Sequence, residues 1–88
     1  MKRSPEFLLR EVSGKLVLVP VGKAATAFPG MVTVNATGKF IWEQLENPCT
    51  LAEIVSAMTQ RYEVSEETAQ ADAKGFLERL IAVGAVIE

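Results

Sequence analysis

The sequence predicts an α+β domain, a three-stranded antiparallel sheet followed by three helices in the order β-β-β-α-α-α. Three observations carry this expectation. The hydrophobic pattern changes once, near Asn35, from β-rich runs to helical spacing. A Ser13-Gly14 pair separates two β-rich runs, and a capping residue opens each of the three apolar stripes that follow.

Phe7 to Val12 and Lys15 to Val21 are the first two strands. The two-residue connection between them suits a tight hairpin, with Gly14 taking a positive φ. Pro20 lacks the N–H that a ladder needs, so the second strand ends there or lies at an edge. Gly22 to Gly30, which contains Pro29-Gly30, reads as a loop. Met31 to Val34 is a short third strand, β-branched at three of its four positions.

Asn35 caps a first helix over about Ala36 to Glu46, with an apolar stripe of Ile41, Trp42 and Leu45, and Asn47-Pro48 ends it. Thr50 and Glu53 form a capping box for a second helix, where Leu51, Ile54, Val55, Met58 and Tyr62 share one face. Ser65 caps the third and longest helix. Glu66 and Glu67 match the positive end of its dipole, and Gly84 stands at its C-terminal stop. Its stripe is Ala69, Ala73, Phe76, Leu77, Leu80 and Ile81, and Ala85-Val86-Ile87 is expected to pack back as an extended tail.

The 88 residues, 49% of them apolar, are enough for one small domain over 1–88, with 1–5 expected as a flexible tail. A formal charge of −2 provides no general attraction for nucleic acid or anionic membranes. The first residues lack a signal-peptide core, and no run approaches the ~18 apolar residues of a membrane span, so a soluble cytoplasmic protein is expected. Cys49 is the only cysteine, which precludes an internal disulfide and a paired-cysteine metal site.

The chain has no histidine, and so lacks the usual general base, nucleophile activator and commonest metal ligand. Cys49 follows Pro48 in a connection with no evident base to activate it. Glu43 with Glu46, and Glu66 with Glu67, read as solvated or dipole-matching groups on helices. The glycines do not form a phosphate-cradling loop between a strand and a helix. The sequence therefore points to a non-enzyme without a cofactor.

Three helices with a hairpin also outline a winged helix, a shape often used to read DNA. A DNA-reading helix should present cations to phosphates, whereas Glu63 to Glu88 holds two bases, Lys74 and Arg79, against six acids. What distinguishes the chain is its short sheet. Met31 to Val34 has no following hairpin partner, and an edge left open there accepts a foreign strand through main-chain hydrogen bonds, with the third helix long enough to wall the groove. Closure of the core by this strand alone, or coverage of its edge by the C-terminal tail, is the alternative structural reading. Pairing of the same strand between two copies would give a homodimer.

Several spaced motifs run in one order along the chain: Val34-Asn35-x-Thr37-Gly38-x-x-Ile41-Trp42-x-x-Leu45, Thr50 with Glu53-Ile54, Tyr62-Glu63-Val64, and Phe76-Leu77-x-x-Leu80-x-x-x-Gly84-x-Val86. In order and spacing they resemble the PqqD family over nearly everything from Phe7 onward. The resemblance implies a winged-helix peptide-binding domain serving ribosomally made, post-translationally modified peptides. In that family the leader of a precursor peptide adds to the third strand against the third helix, and the complex is delivered to a radical S-adenosylmethionine enzyme. Carried onto this chain, Met31, Val32, Thr33 and Val34 would supply main-chain partners, Asn35 would cap at the groove end, and Asp72, Gly75, Phe76, Arg79 and Leu80 would come from the third helix. Gly75 is the most telling of these, because a helix-interior glycine costs about 1 kcal/mol relative to alanine. A passing peptide backbone would justify it, and so would helix–helix contact. Ala73 in place of a larger aliphatic residue, Val34 in place of leucine and the long Gly22 to Gly30 loop depart from the members dedicated to pyrroloquinoline quinone, consistent with a relative that serves another peptide.

Overall fold

In the computed structural model, which describes residues 1–27 and 30–88, the sheet-then-helices order is present with additions at its ends and in one connection. The elements are β1 (Lys2–Arg3), β2 (Phe7–Val12), β3 (Lys15–Pro20), α1 (Lys23–Ala27), β4 (Val32–Val34), α2 (Ala36–Gln44), α3 (Leu51–Arg61), α4 (Glu66–Ala82) and β5 (Val86–Ile87). The expected third strand is therefore β4, and the expected third helix is α4.

β2, β3 and β4 form an antiparallel sheet in that order. Phe7 stands opposite Pro20 and Val12 opposite Lys15 across the hairpin, and Leu16, Val17 and Leu18 stand opposite Val34, Thr33 and Val32. At the turn both Ser13 (φ 52°) and Gly14 (φ 78°) are left-handed. This is the twist-matched arrangement that a two-residue hairpin favours. The central strand β3 is buried at Val17, Leu18 and Pro20 and ends at the proline, as its missing donor requires.

The caps form where the sequence places them. Asn35 Oδ1 accepts from the Gly38 N–H at 2.8 Å. Thr50 and Glu53 bond reciprocally at 3.1 and 2.8 Å, and Ser65 Oγ accepts from the Thr68 N–H at 3.1 Å. Each satisfies donors that a helix start leaves unpaired. Ile41, Trp42, Leu45, Ile54, Val55, Met58, Ala69, Ala73, Leu77 and Leu80 then join Phe7, Leu18 and Val34 in one core.

Three expectations are corrected. Residues 1–5 are not a flexible tail: β1 pairs with β5, the Ser4 N–H donates to the Ala85 carbonyl at 2.8 Å, and Ser4 is buried. The Met1 ammonium and carbonyl both bond to Cys49, so the segment is tied at several points by partners more than 40 residues away. The Gly22 to Gly30 stretch is not wholly loop, since α1 occupies Lys23–Ala27. Its start is capped from a distance by Glu6, whose carboxylate accepts from the Ala24 N–H at 2.9 Å. Pro29, part of that loop reading, lies outside the described residues. Finally, Met31 precedes β4 instead of opening it and is 60% exposed. The C-terminal tail does pack back, but onto β1, so it leaves the edge of β4 uncovered.

Candidate functional site

The outer edge of β4 faces α4. In an antiparallel ladder, residues alternate between pointing both main-chain groups at the partner strand and pointing both away from it. The Thr33 carbonyl accepts from Arg79 Nη2 at 3.3 Å, which directs it away from β3. Thr33 is therefore the β4 residue whose N–H and C=O face the open edge, and Val32 and Val34 turn theirs toward β3.

A groove of about 350 Å³ continues from this edge. Asn35, Thr37, Gly38 and Ile41 line one side, and Asp72, Gly75, Phe76 and Arg79 of α4 line the other. The four α4 residues stand at i, i+3, i+4 and i+7, a single helical stripe. Asp72, Gly75 and Arg79 are exposed and Phe76 is half-buried, so the stripe presents a carboxylate, a bare backbone, an aromatic ring and a guanidinium in order. The Arg79 guanidinium lies over the Phe76 ring, 5.8 Å from its centroid.

The two glycines of the groove differ. A Cβ on Gly38 would meet Val34 Cγ1 at 2.7 Å and Phe76 Cε1 at 2.9 Å, so the absent side chain is what lets β4, α2 and α4 close together. A Cβ on Gly75 would meet nothing within 4 Å. Helix–helix contact therefore does not account for Gly75, which leaves its propensity cost without an intramolecular return.

Among the residues singled out from the sequence, Asn35, Asp72, Gly75, Phe76 and Arg79 line the groove, and Thr33 borders it through Arg79. The Asn35 side-chain oxygen is used in capping, so the residue shapes the groove end. Val34 packs beneath Gly38, Val32 is half-buried against the core, and Met31 is exposed beside the strand. Leu80 is 0% exposed. As a core residue it offers no surface, and its place among the contact residues is corrected. Thr37, Gly38 and Ile41 were not singled out as contact residues. The signal for Gly38 was its position inside the first turn of a helix, where glycine is costly unless space demands it.

Cys49, between α2 and α3, is half-buried, and its Sγ lies 3.5 Å from the Gln44 carbonyl. Burial pushes its thiol pKa up, the N-terminal ammonium pulls it down and Glu53 adds to the rise. The net direction is upward, away from a reactive thiolate.

Comparison with known proteins bears on this arrangement. A family model described as coenzyme PQQ synthesis protein D (PqqD) matches residues 15–86, most of the chain and every element from β3 to α4. The chain belongs to the PqqD family. A solved structure similar to it is TbiB1 in complex with the TbiA(beta) leader peptide: 26% of residues are identical, the match covers 97% of this chain and 93% of that one, and the TM-score is 0.74. No curated protein matches the chain. The PqqD-family match spans both walls of the groove, with β4 and the start of α2 on one side and all of α4 on the other.

Proposed function

We propose that this chain is a non-catalytic peptide chaperone that binds the leader of a ribosomally made precursor peptide by strand addition to β4, in the groove against α4, and presents it to a radical S-adenosylmethionine maturation enzyme. The observation that carries this reading is the outer edge of β4, which no strand pairs with among the described residues, beside a helix whose central glycine faces open space. The Thr33 N–H and carbonyl would form the main-chain bonds to the added strand, and Gly75 would let its backbone approach the helix. Phe76, half-buried at the groove, would receive an apolar side chain. A leader peptide bound to the similar structure, at 26% identity over nearly the whole chain, supports the ligand class. Delivery to a radical enzyme is the further step that PqqD membership implies.

A disordered leader loses chain entropy on becoming a strand, so affinity near 1 µM, about −8 kcal/mol, is expected. The test is an NMR titration with the leader of the precursor encoded beside the gene. Saturable amide shifts confined to residues 31–38 and 72–79 are the expected result. Absence of shifts at large peptide excess would overturn capture of that peptide.

A further inference from the structure

An open strand edge accepts any extended chain unless something guards it. At β4 the guard is Arg79. Its partners are modest for a full positive charge: one bond of 3.3 Å to the neutral Thr33 carbonyl and one face of the Phe76 ring. Among the described residues it has no carboxylate partner, and Asp72, at the other end of the same stripe, has no cationic one. Seven residues of helix rise separate them by about 10 Å. The helical wall is therefore ordered in charge, with an unpaired anion toward the N-terminal end of α4 and an unpaired cation toward its C-terminal end.

The Thr33 carbonyl is also an acceptor that an added strand would use, so Arg79 and the strand compete for it. A neutral strand displaces the guanidinium into water. A strand with a carboxylate nearby instead gives it a charge-assisted, two-pronged partner that is stronger than the carbonyl it leaves. Resting on the peptide-capture reading above, we infer that Arg79 is a specificity residue that selects an acidic strand. The occupant carries Asp or Glu beside the residue that pairs with Thr33, and the guanidinium passes from the Thr33 carbonyl to that carboxylate as the strand seats.

The experiment selects a random 12-residue displayed peptide library against the intact protein and against Arg79→Gln. Arg79 is exposed, and a melting curve checks that the variant is folded. Selected peptides are then synthesised as Glu and Gln pairs, and binding is followed by anisotropy and by the Thr33 amide shift. The expected result is a shared strand motif with Asp or Glu enriched at one position for the native protein and not for Arg79→Gln. Glu→Gln in the peptide should weaken native binding about 3- to 10-fold, the range for a partly exposed charged contact, and binding to Arg79→Gln less than twofold. A motif that binds at Thr33 without acid enrichment, or with the same enrichment for both proteins, overturns the role of Arg79 and leaves peptide capture standing. No shared motif with either protein overturns both.

Discussion

The two edges of the three-stranded sheet invite opposite judgements by length and by surroundings. β2 is six residues long and carries exposed Leu8 and Val12, 38% and 47% accessible, and its start borders a hollow of about 560 Å³ that Trp42 and Arg3 also line. β4 is three residues long and its groove is smaller. On the proposed reading the shorter edge is nevertheless the binding edge. Its outward main-chain groups lie beside a helix that supplies a wall, a gap at Gly75 and a charged side chain already bonded to the edge. β2 carries Arg10 and Glu11, charges of the kind that discourage pairing of edges. At the Arg3 end of the larger hollow, the guanidinium is spent on the Trp42 carbonyl and ring. A strand edge becomes selective through what stands next to it more than through its length or apolarity.

The sharpest way to break this comparison is a pair of proline substitutions one residue apart. Val32→Pro removes an N–H directed at β3 and leaves a carbonyl unpaired, so about 1–3 kcal/mol of stability should be lost in chemical denaturation. Thr33→Pro removes an edge-facing N–H, so it should melt near the native temperature and bind the leader about tenfold more weakly by anisotropy. Equal effects at both positions would show that the inferred phase of β4 is wrong. The groove glycines supply the next contrast. Gly38→Ala forces a methyl group against Val34 and Phe76 and should cost up to about 2 kcal/mol, the overpacking cost less the gain in helix propensity. Gly75→Ala meets open space and should raise stability by about 0.5–1 kcal/mol while weakening leader binding several-fold. A Gly75→Ala protein that is both more stable and equally tight would remove the functional reason for that glycine.

At the far edge, Leu8→Thr should leave leader binding within twofold, and a larger loss would move the site to β2. The smallest effect concerns Cys49, away from both edges. Its thiol pKa is raised in the folded state, so its stabilising contribution is present below the ordinary thiol pKa and lost as pH rises through the folded value. The stability difference between the native protein and Cys49→Ser, measured by denaturant titration, should therefore shrink as pH rises above about 8, the lower side of ordinary thiol titration.

The parts of the molecule legible in the sequence are those decided within a few residues. Asn35, Thr50 with Glu53, and Ser65 each bond to a group three positions on, and Ser13-Gly14 closes a hairpin through local φ preferences. The α4 contact residues Asp72, Gly75, Phe76 and Arg79 came from the resemblance to the PqqD family, and helical spacing puts these four on one side. Tertiary structure decided the rest. Residues 1–5 are ordered by Leu45, Cys49 and Ala85, and α1 is started by a carboxylate 18 positions away. These partners are chosen by the fold and carry no local signature. Helical period put Leu80 in the apolar stripe without showing how completely the core seals it, and it could not separate crowded Gly38 from uncrowded Gly75. Chain chemistry determines which side chains share a face. The neighbours that face meets depend on how separate elements pack, and that packing determined that the free edge of β4 would lie beside α4.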